Sequence, residues 1–439
     1  MRAALRDNMG ALKRGRMEER APEPILKTEG RPRCRFCAAP LEHVFAELGM
    51  TPLANAFLRA DQLNRMEPFY PLRAYVCGQC FLAQLEAFET PGHIFGDYAY
   101  FSSYAESWLR HAEAYTDAMI ARFSIDGGKL VVEVASNDGY LLQYFKQRGV
   151  PVLGIEPAAN VARVAVQKGI PTEVLFLGGR TGQALAAQGS QGDLVVGNNV
   201  LAHVPDINDF VIGLREILKP AGVLTMEFPH LLNLIEQGQF DTIYHEHFSY
   251  LSLYTVERIF RHHGLTVFDV EELPTHGGSL RIYARHEANA CHAVEKRVAV
   301  LLAREARGGL QCIETYTHFA ASIRKVKLEL LDFLVRASFE GKAVAGYGAP
   351  AKGNTLLNYC GIRTDLLAYT VDRSPHKQGL YLPGTHIPVY DPERLRETRP
   401  DYVLILPWNL REEIAQQLRY VRDWGCRLVV AIPQLEVLA

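Results

Sequence analysis

Two parts of the chain repeat one pattern, in which a short apolar run leads into apolar positions spaced three and four apart. From Lys129 the sequence reads KLVVEVASNDGYLLQYFKQRGVPVLGIEP. LVVEV is a β-branched run of the kind that forms a strand of a buried parallel sheet. ASNDG is a turn, and YLLQYFKQRG has helical spacing and ends at Gly149. VPVLGIEP is the next strand and closes on Glu156. GDLVVGNNVLAHVPD supplies a third strand whose carboxyl end carries Asn198 and Asn199, and FVIGLREILKPAGVLTMEFP adds a helix, a Pro-Ala-Gly turn and a further strand. The pattern predicts an α/β layer with a parallel sheet. A second such layer begins at GKAVAGYGAPAKGNTLLNYCG, with further strands in LLAYTVD, PDYVLILP and CRLVVAIP. Between the two, Cys291 to about Phe339 has the spacing of charged, amphipathic helices that link the halves.

A length of 439 residues gives room for two to four domains. An apolar fraction of 48% and a charged fraction of 22% are ordinary for a soluble protein with real cores. The net charge of -2 gives no sign of a nucleic-acid partner. No apolar run reaches the ~18 residues of a membrane span. The first thirty residues are polar and lack the apolar core of a signal peptide, so they are expected to be a flexible tail, with Met17 a candidate natural start, on a cytoplasmic chain. In that compartment the eight cysteines are not expected to form a disulfide framework.

Four of the cysteines form a set. CRFC supplies Cys34 and Cys37, and CGQC supplies Cys77 and Cys80. Two residues between thiolates let one tight turn aim both sulfurs at one ion, and two such turns complete a tetrahedral Zn²⁺ site. A redox pair would not need a second copy. With all four positions filled by sulfur, the metal is expected to be structural. Cys291, Cys312, Cys360 and Cys426 stand alone and are expected to be packing residues.

The first α/β unit places its candidate ligands at the carboxyl ends of its strands. Glu133, Ser136, Asn137 and Gly139 lie in or beside the first turn, Glu156 is positioned for ribose hydroxyls, and Asn198 ends the third strand. The turn is not G-x-G-x-x-G, and Glu133 would repel a dinucleotide pyrophosphate. A cationic sulfonium cofactor tolerates that acid, so the chemistry leans to S-adenosylmethionine over NAD.

The stretch TIYHEHFSY, Thr242 to Tyr250, is the densest cluster of polar chemistry. It is not H-E-x-x-H, because His245 and His247 are two apart. On a strand the two would share a face with Glu246 opposite. A two-histidine metal site, satisfied core residues and an acid–base assembly are all open readings, and the last fits best. THGGSLRIY adds His276 and Ser279, either as sugar contacts or as caps of a Gly-Gly turn. In the last third, Lys352 and Asn354 open a helix whose N–H groups favour phosphate, Asp372 ends a strand, and Lys377 follows it. A tight strand–helix packing turn is the alternative there.

With CRFC…CGQC, YAYFSSYAESW, VEVASNDGYLL, GNNVLAHVPD, YHEHFSYLS, THGGSLRIY and GYGAPAKGNTLLN in that order, the chain resembles the sugar C-methyltransferases that act on nucleotide-linked 4-keto-deoxysugars. The resemblance covers most of the chain after the tail. It implies a zinc-binding lobe over 31–100, a class I S-adenosylmethionine methyltransferase domain over 101–288, a helical linker over 289–340 and a C-terminal Rossmann-like domain over 341–439. It implies that His247 is the base, that Glu246 and Tyr244 support the base and the enolate, and that Tyr98, or else Tyr100, reaches the sugar. Asn199 and His203 match residues of the sugar pocket, and Lys352, Asn354, Asp372 and Lys377 belong to a nucleotide-sugar diphosphate site. The implied reaction is methyl transfer to C3 of a TDP- or related 4-keto-6-deoxysugar by a monomer or weak homo-oligomer that binds neither nucleic acid nor membrane. O- or N-methyl transfer, and a non-catalytic zinc-bearing binding protein, are the alternatives.

Overall fold

The computed structural model describes residues 32–89, 102–104 and 106–438. The expected tail and the two candidate tyrosines Tyr98 and Tyr100 lie outside the described residues. Val131–Val134 is buried at every position, as a strand covered on both faces must be. It lies inside a seven-stranded sheet whose strands run, edge to edge, Thr172–Glu173, Val152–Ile155, Val131–Val134, Gly192–Asn198, Leu218–Pro229, Ser279–His286 and Leu265–Leu273. The first five are parallel, and Ser279–His286 runs antiparallel to both of its neighbours. Counted in chain order within the sheet, that is 3-2-1-4-5-7-6, the class I methyltransferase arrangement that the resemblance implies. The order reverses between Val131–Val134 and Gly192–Asn198, and ligands bind at the carboxyl side of such a switch.

The C-terminal sheet has the order 3-2-1-4-5-6 in its own count, from Val389–Tyr390 at one edge to Glu436–Leu438 at the other. All pairs but the last are parallel, which makes it the expected second Rossmann-like layer. The N-terminal sheet is small and antiparallel: His43–Thr51, Tyr70–Val76, Ala83–Leu85 and, from far along the chain, Ser249–Tyr250. Among the described residues no helix is long and apolar enough to cross a membrane.

These parts do not keep separate cores. Phe45 and Leu72 of the N-terminal sheet pack in one buried cluster with Leu231 and Ile243, with Leu330 of the long helix Ile313–Phe339, and with Val403 of the C-terminal sheet. Cys34, Cys77 and Cys80 join the core that holds Val195, Leu224 and Leu253. Cys360 and Cys426 are buried as expected, but Cys291 and Cys312 are exposed and are not packing residues. Cys291 follows the end of its sheet, and Cys312 precedes the helix Ile313–Phe339, so neither reaches a core.

A buried carboxylate joins two of the helices. Glu305, on the helix Lys296–Arg307, is fully buried and accepts hydrogen bonds from Leu253 N (2.6 Å) and Tyr254 N (2.8 Å) at the start of the helix Leu253–His262. His230 Nε2 lies 2.8 Å from the same carboxylate. An anion at a helix start satisfies orphan N–H groups and the helix dipole together. Glu305→Ala strands these donors in a dry core, and it is expected to lower the unfolding free energy in urea by about 3 kcal/mol.

Candidate active site

A cavity of about 390 Å³ opens at the carboxyl ends of both parallel sheets. Its walls come from three regions: Asn137, Glu156, Asn198, Asn199 and His203 from the central sheet, Lys352 and Lys377 from the C-terminal layer, and Asn55 from the N-terminal lobe.

The turn after Val131–Val134 is bent into place by left-handed backbone at Ala135 (φ 57°) and Asn137 (φ 49°), the kind of strain that the surrounding packing must hold. Glu156 lies just past its strand and accepts from Asn137 N and Ala158 N, each at 2.9 Å. Burial raises its carboxyl above the usual range. Asn198 is buried in the wall with neither amide atom hydrogen-bonded. Val134, Ile155 and Leu175 supply apolar surface beside them. An apolar slot that ends in a carboxylate fits an adenosyl group, whose base is apolar on its faces and whose ribose donates hydrogen bonds. Glu133, Ser136 and Gly139 do not reach this wall. Glu133 lies within the buried strand, where desolvation pushes its carboxyl well above the usual range. Ser136 packs against Gly154, and Gly139 (φ +77°) makes room for Ile170, which a Cβ would meet at 2.3 Å.

The Tyr-His-Glu-His stretch is neither strand nor helix. His247 N donates to Tyr244 O at 2.9 Å, which closes a turn over these four residues. The two histidines therefore do not share a face as they would on a strand. The turn sends His245 away, to Pro71 O (3.2 Å) and the edge of Tyr70, and it brings Tyr244, Glu246 and His247 together into the cavity. His247 Nδ1 lies 2.8 Å from Thr242 O. A carbonyl only accepts, so Nδ1 carries the proton and Nε2 keeps its lone pair. The ring is 4.0 Å from that of Tyr244 and 4.7 Å from that of His203, centroid to centroid. Burial, and then the neighbouring His203, hold His247 well below the ordinary imidazole value. Glu246 accepts from Asn55 Nδ2 at 2.6 Å, and burial pushes its carboxyl up to about 7.

His276 (φ 57°) lines the cavity 2.8 Å from Asn199 Nδ2, and its ring lies 5.1 Å from that of Trp108. Ser279 turns away and caps its own loop at Thr275 O, 2.9 Å. Lys352 Nζ donates to Asn409 Oδ1 at 2.9 Å and sits 4.8 Å from the centre of the Trp408 ring. Burial lowers its pKa, and Asp241 opposes that shift. Lys377 Nζ donates to Ala349 O at 2.9 Å. Asn354 and Asp372 are not in the wall. Asn354 Nδ2 donates to Ala54 O at 2.7 Å, and Asp372 is occupied by Ala349 N (2.7 Å) and Ser374 N (2.8 Å). Asn55, Trp108 and Tyr250 are wall residues that the sequence reading missed. Asn55 lies outside every quoted motif, whereas Trp108 ends YAYFSSYAESW and Tyr250 ends TIYHEHFSY, so those two had a signal.

The sulfurs of Cys34, Cys37, Cys77 and Cys80 lie within 4.8 Å of one another, with Cys34–Cys80 and Cys37–Cys77 at 3.5 Å. Four thiolates around Zn²⁺ at ~2.3 Å stand about 3.8 Å apart, so the set fits that ion. Metal analysis is expected to find one zinc per chain, and Cys77→Ser should lose it and lower the thermal midpoint.

Burial takes His203 and His276 down to about 4. Free imidazole titrates near 6.5. The unfolded chain therefore takes up these protons near 6.5 while the folded chain does not, so the pair withdraws stability as pH falls from about 6.5 toward 4. Histidine NMR is expected to find both rings neutral at pH 5.5, and His203→Asn should narrow the loss of stability over that window.

A family model for a C-methyltransferase C-terminal domain matches residues 274–433, one for a zinc binding domain matches 34–95, and one for a methyltransferase domain matches 108–270. C-methyltransferase NovU of Streptomyces niveus is 37% identical over 406 residues, which is 92% of this chain and 96% of that protein. A ubiquinone biosynthesis O-methyltransferase of Roseobacter denitrificans is 33% identical over 100 residues, 22% of this chain and 39% of its own. The solved magnesium protoporphyrin IX methyltransferase of Synechocystis with bound SAM is 16% identical, covers 40% of this chain and 78% of its own, and has a TM-score of 0.31. Similar to NovU along nearly its whole length, and matched in turn by zinc-binding, methyltransferase and C-methyltransferase models, the chain belongs to the family of S-adenosylmethionine-dependent C-methyltransferases.

Proposed function

We propose that the protein methylates C3 of a nucleotide-linked 4-keto-6-deoxysugar through an enolate, with His247 as the base. The observation that carries this reading is the fixed tautomer of His247, whose Nδ1–H is committed to Thr242 O at 2.8 Å. An imidazole held neutral by burial is in the form that accepts a proton. Its weak basicity is offset in the reaction, because the carbanion that forms beside it favours the imidazolium. Tyr244, tilted against the same ring with centroids 4.0 Å apart, holds the enolate oxygen together with His203. Glu156 and Asn198 hold the adenosyl end of the donor. S-Adenosylmethionine, when bound, supplies the electrophilic methyl group. Lys352 and Lys377 line the cavity from the C-terminal layer and present ammonium groups to the substrate's diphosphate.

An O- or N-transferase needs no proton abstraction from carbon, so solvent exchange separates the readings. With the methyl donor withheld, the enzyme is expected to wash deuterium into C3 of the ketosugar. His247→Ala is expected to lose that exchange and to slow methyl transfer by about 10²–10⁴-fold, while binding of S-adenosylmethionine stays normal. Exchange and turnover near the wild-type rate in this variant would remove His247 as the base. Labelled methyl found on oxygen or nitrogen of the product would overturn the C-transfer chemistry.

A further inference from the structure

We infer that Asn55 is a positioning residue for methyl transfer: its amide fixes the Glu246 carboxyl in the cavity, and the C-terminal layer holds that amide in place. The inference deepens the proposed function and rests on the role that the family resemblance implies for Glu246, support of the base and the enolate.

Asn55 belongs to the segment that leaves the strand His43–Thr51 and crosses to the C-terminal layer. Its amide Nδ2 donates to Glu246 Oε1 at 2.6 Å across 191 residues of sequence. Among the described residues no other donor reaches that carboxyl, and Glu246 is only 4% exposed. A desolvated carboxyl with one donor takes its orientation from that donor. Asn55 itself is exposed and lines the cavity, so it is not there to fill a core.

The segment is tied down on both sides of Asn55 from the same direction. Before it, Ala54 O accepts from Asn354 Nδ2 at 2.7 Å. After it, Leu58 and Tyr381 exchange backbone hydrogen bonds of 3.0 and 2.8 Å. Phe57 lies beneath Lys377, with Nζ 5.6 Å from the ring centre. Asn354 and Tyr381 are C-terminal residues, and Lys377 lines the cavity from that side. The layer that lines one wall of the cavity thus also sets the donor on Glu246. This gives Asn354 a role that its place outside the wall left unexplained. The same donor opposes the burial that raises the Glu246 carboxyl.

The test is a double-variant cycle on the full-length protein, with turnover of the ketosugar, its KM, the affinity for S-adenosylmethionine and the thermal midpoint as readouts. Asn55→Ala is expected to lower kcat by about 10- to 100-fold, with KM, cofactor affinity and midpoint close to wild type. In a Glu246→Gln background the same change should have little further effect. Asn354→Ala, which cuts the tether at Ala54, should reproduce part of the loss in kcat. If Glu246→Gln is impaired while Asn55→Ala keeps wild-type kcat, or if the two losses multiply in the double variant, Asn55 does not act through Glu246 and the inference is overturned while the proposed function stands. If Glu246→Gln turns over at the wild-type rate, the assignment of Glu246 fails and takes the inference with it.

Discussion

The hydrogen bond from His247 to the carbonyl of Thr242 decides what the cavity can do. It closes a short loop, only five residues long, across the start of the turn, and it leaves one nitrogen of the ring with its lone pair free of that bond. Glu246 and His247, neighbours in sequence, share the cavity only because the same turn bends the chain at them. If the backbone ran straight here, the side chains would alternate and Glu246 would face away from His247. The local chemistry is thus set by backbone geometry before any ligand arrives.

Desolvation is the second constraint. Burial pushes the imidazoles of His203, His247 and His276 down, the carboxyl of Glu246 up and the ammonium of Lys352 down. Every shift favours the neutral form. A sulfonium donor entering this space meets few competing charges, and each charge created there is felt strongly at low dielectric. The cost is a site whose parts are individually unfavourable to bury, so it must be held by packing from outside.

That packing comes from the absence of separate cores. The N-terminal sheet takes its fourth strand, Ser249–Tyr250, from the segment directly after the turn. The sulfur cluster sits in the same core as the central sheet. Gln84, paired with Ser249, donates to Cys34 Sγ at 3.3 Å. The metal-binding lobe therefore buttresses one wall of the cavity, while the C-terminal layer supplies another.

Both parallel sheets were legible in the sequence, because buried strands announce themselves as β-branched runs and their helices by period. It determined the four-cysteine set from two Cys-x-x-Cys spacings, and it gathered Tyr244, Glu246 and His247 from their density. Tertiary structure alone decided that the stretch is a turn, since three polar residues in a row fit strand and turn equally well until a hydrogen bond chooses. It alone separated the wall residues Asn137, Glu156 and Asn198 from Glu133, Ser136 and Gly139, which lie in or beside the first turn but stay in packing. It alone brought Asn55 to Glu246 and turned Asn354 into a tether. Such contacts join segments about 190 to 300 residues apart, and no periodicity or local spacing along a chain records a pairing that depends on how whole layers dock.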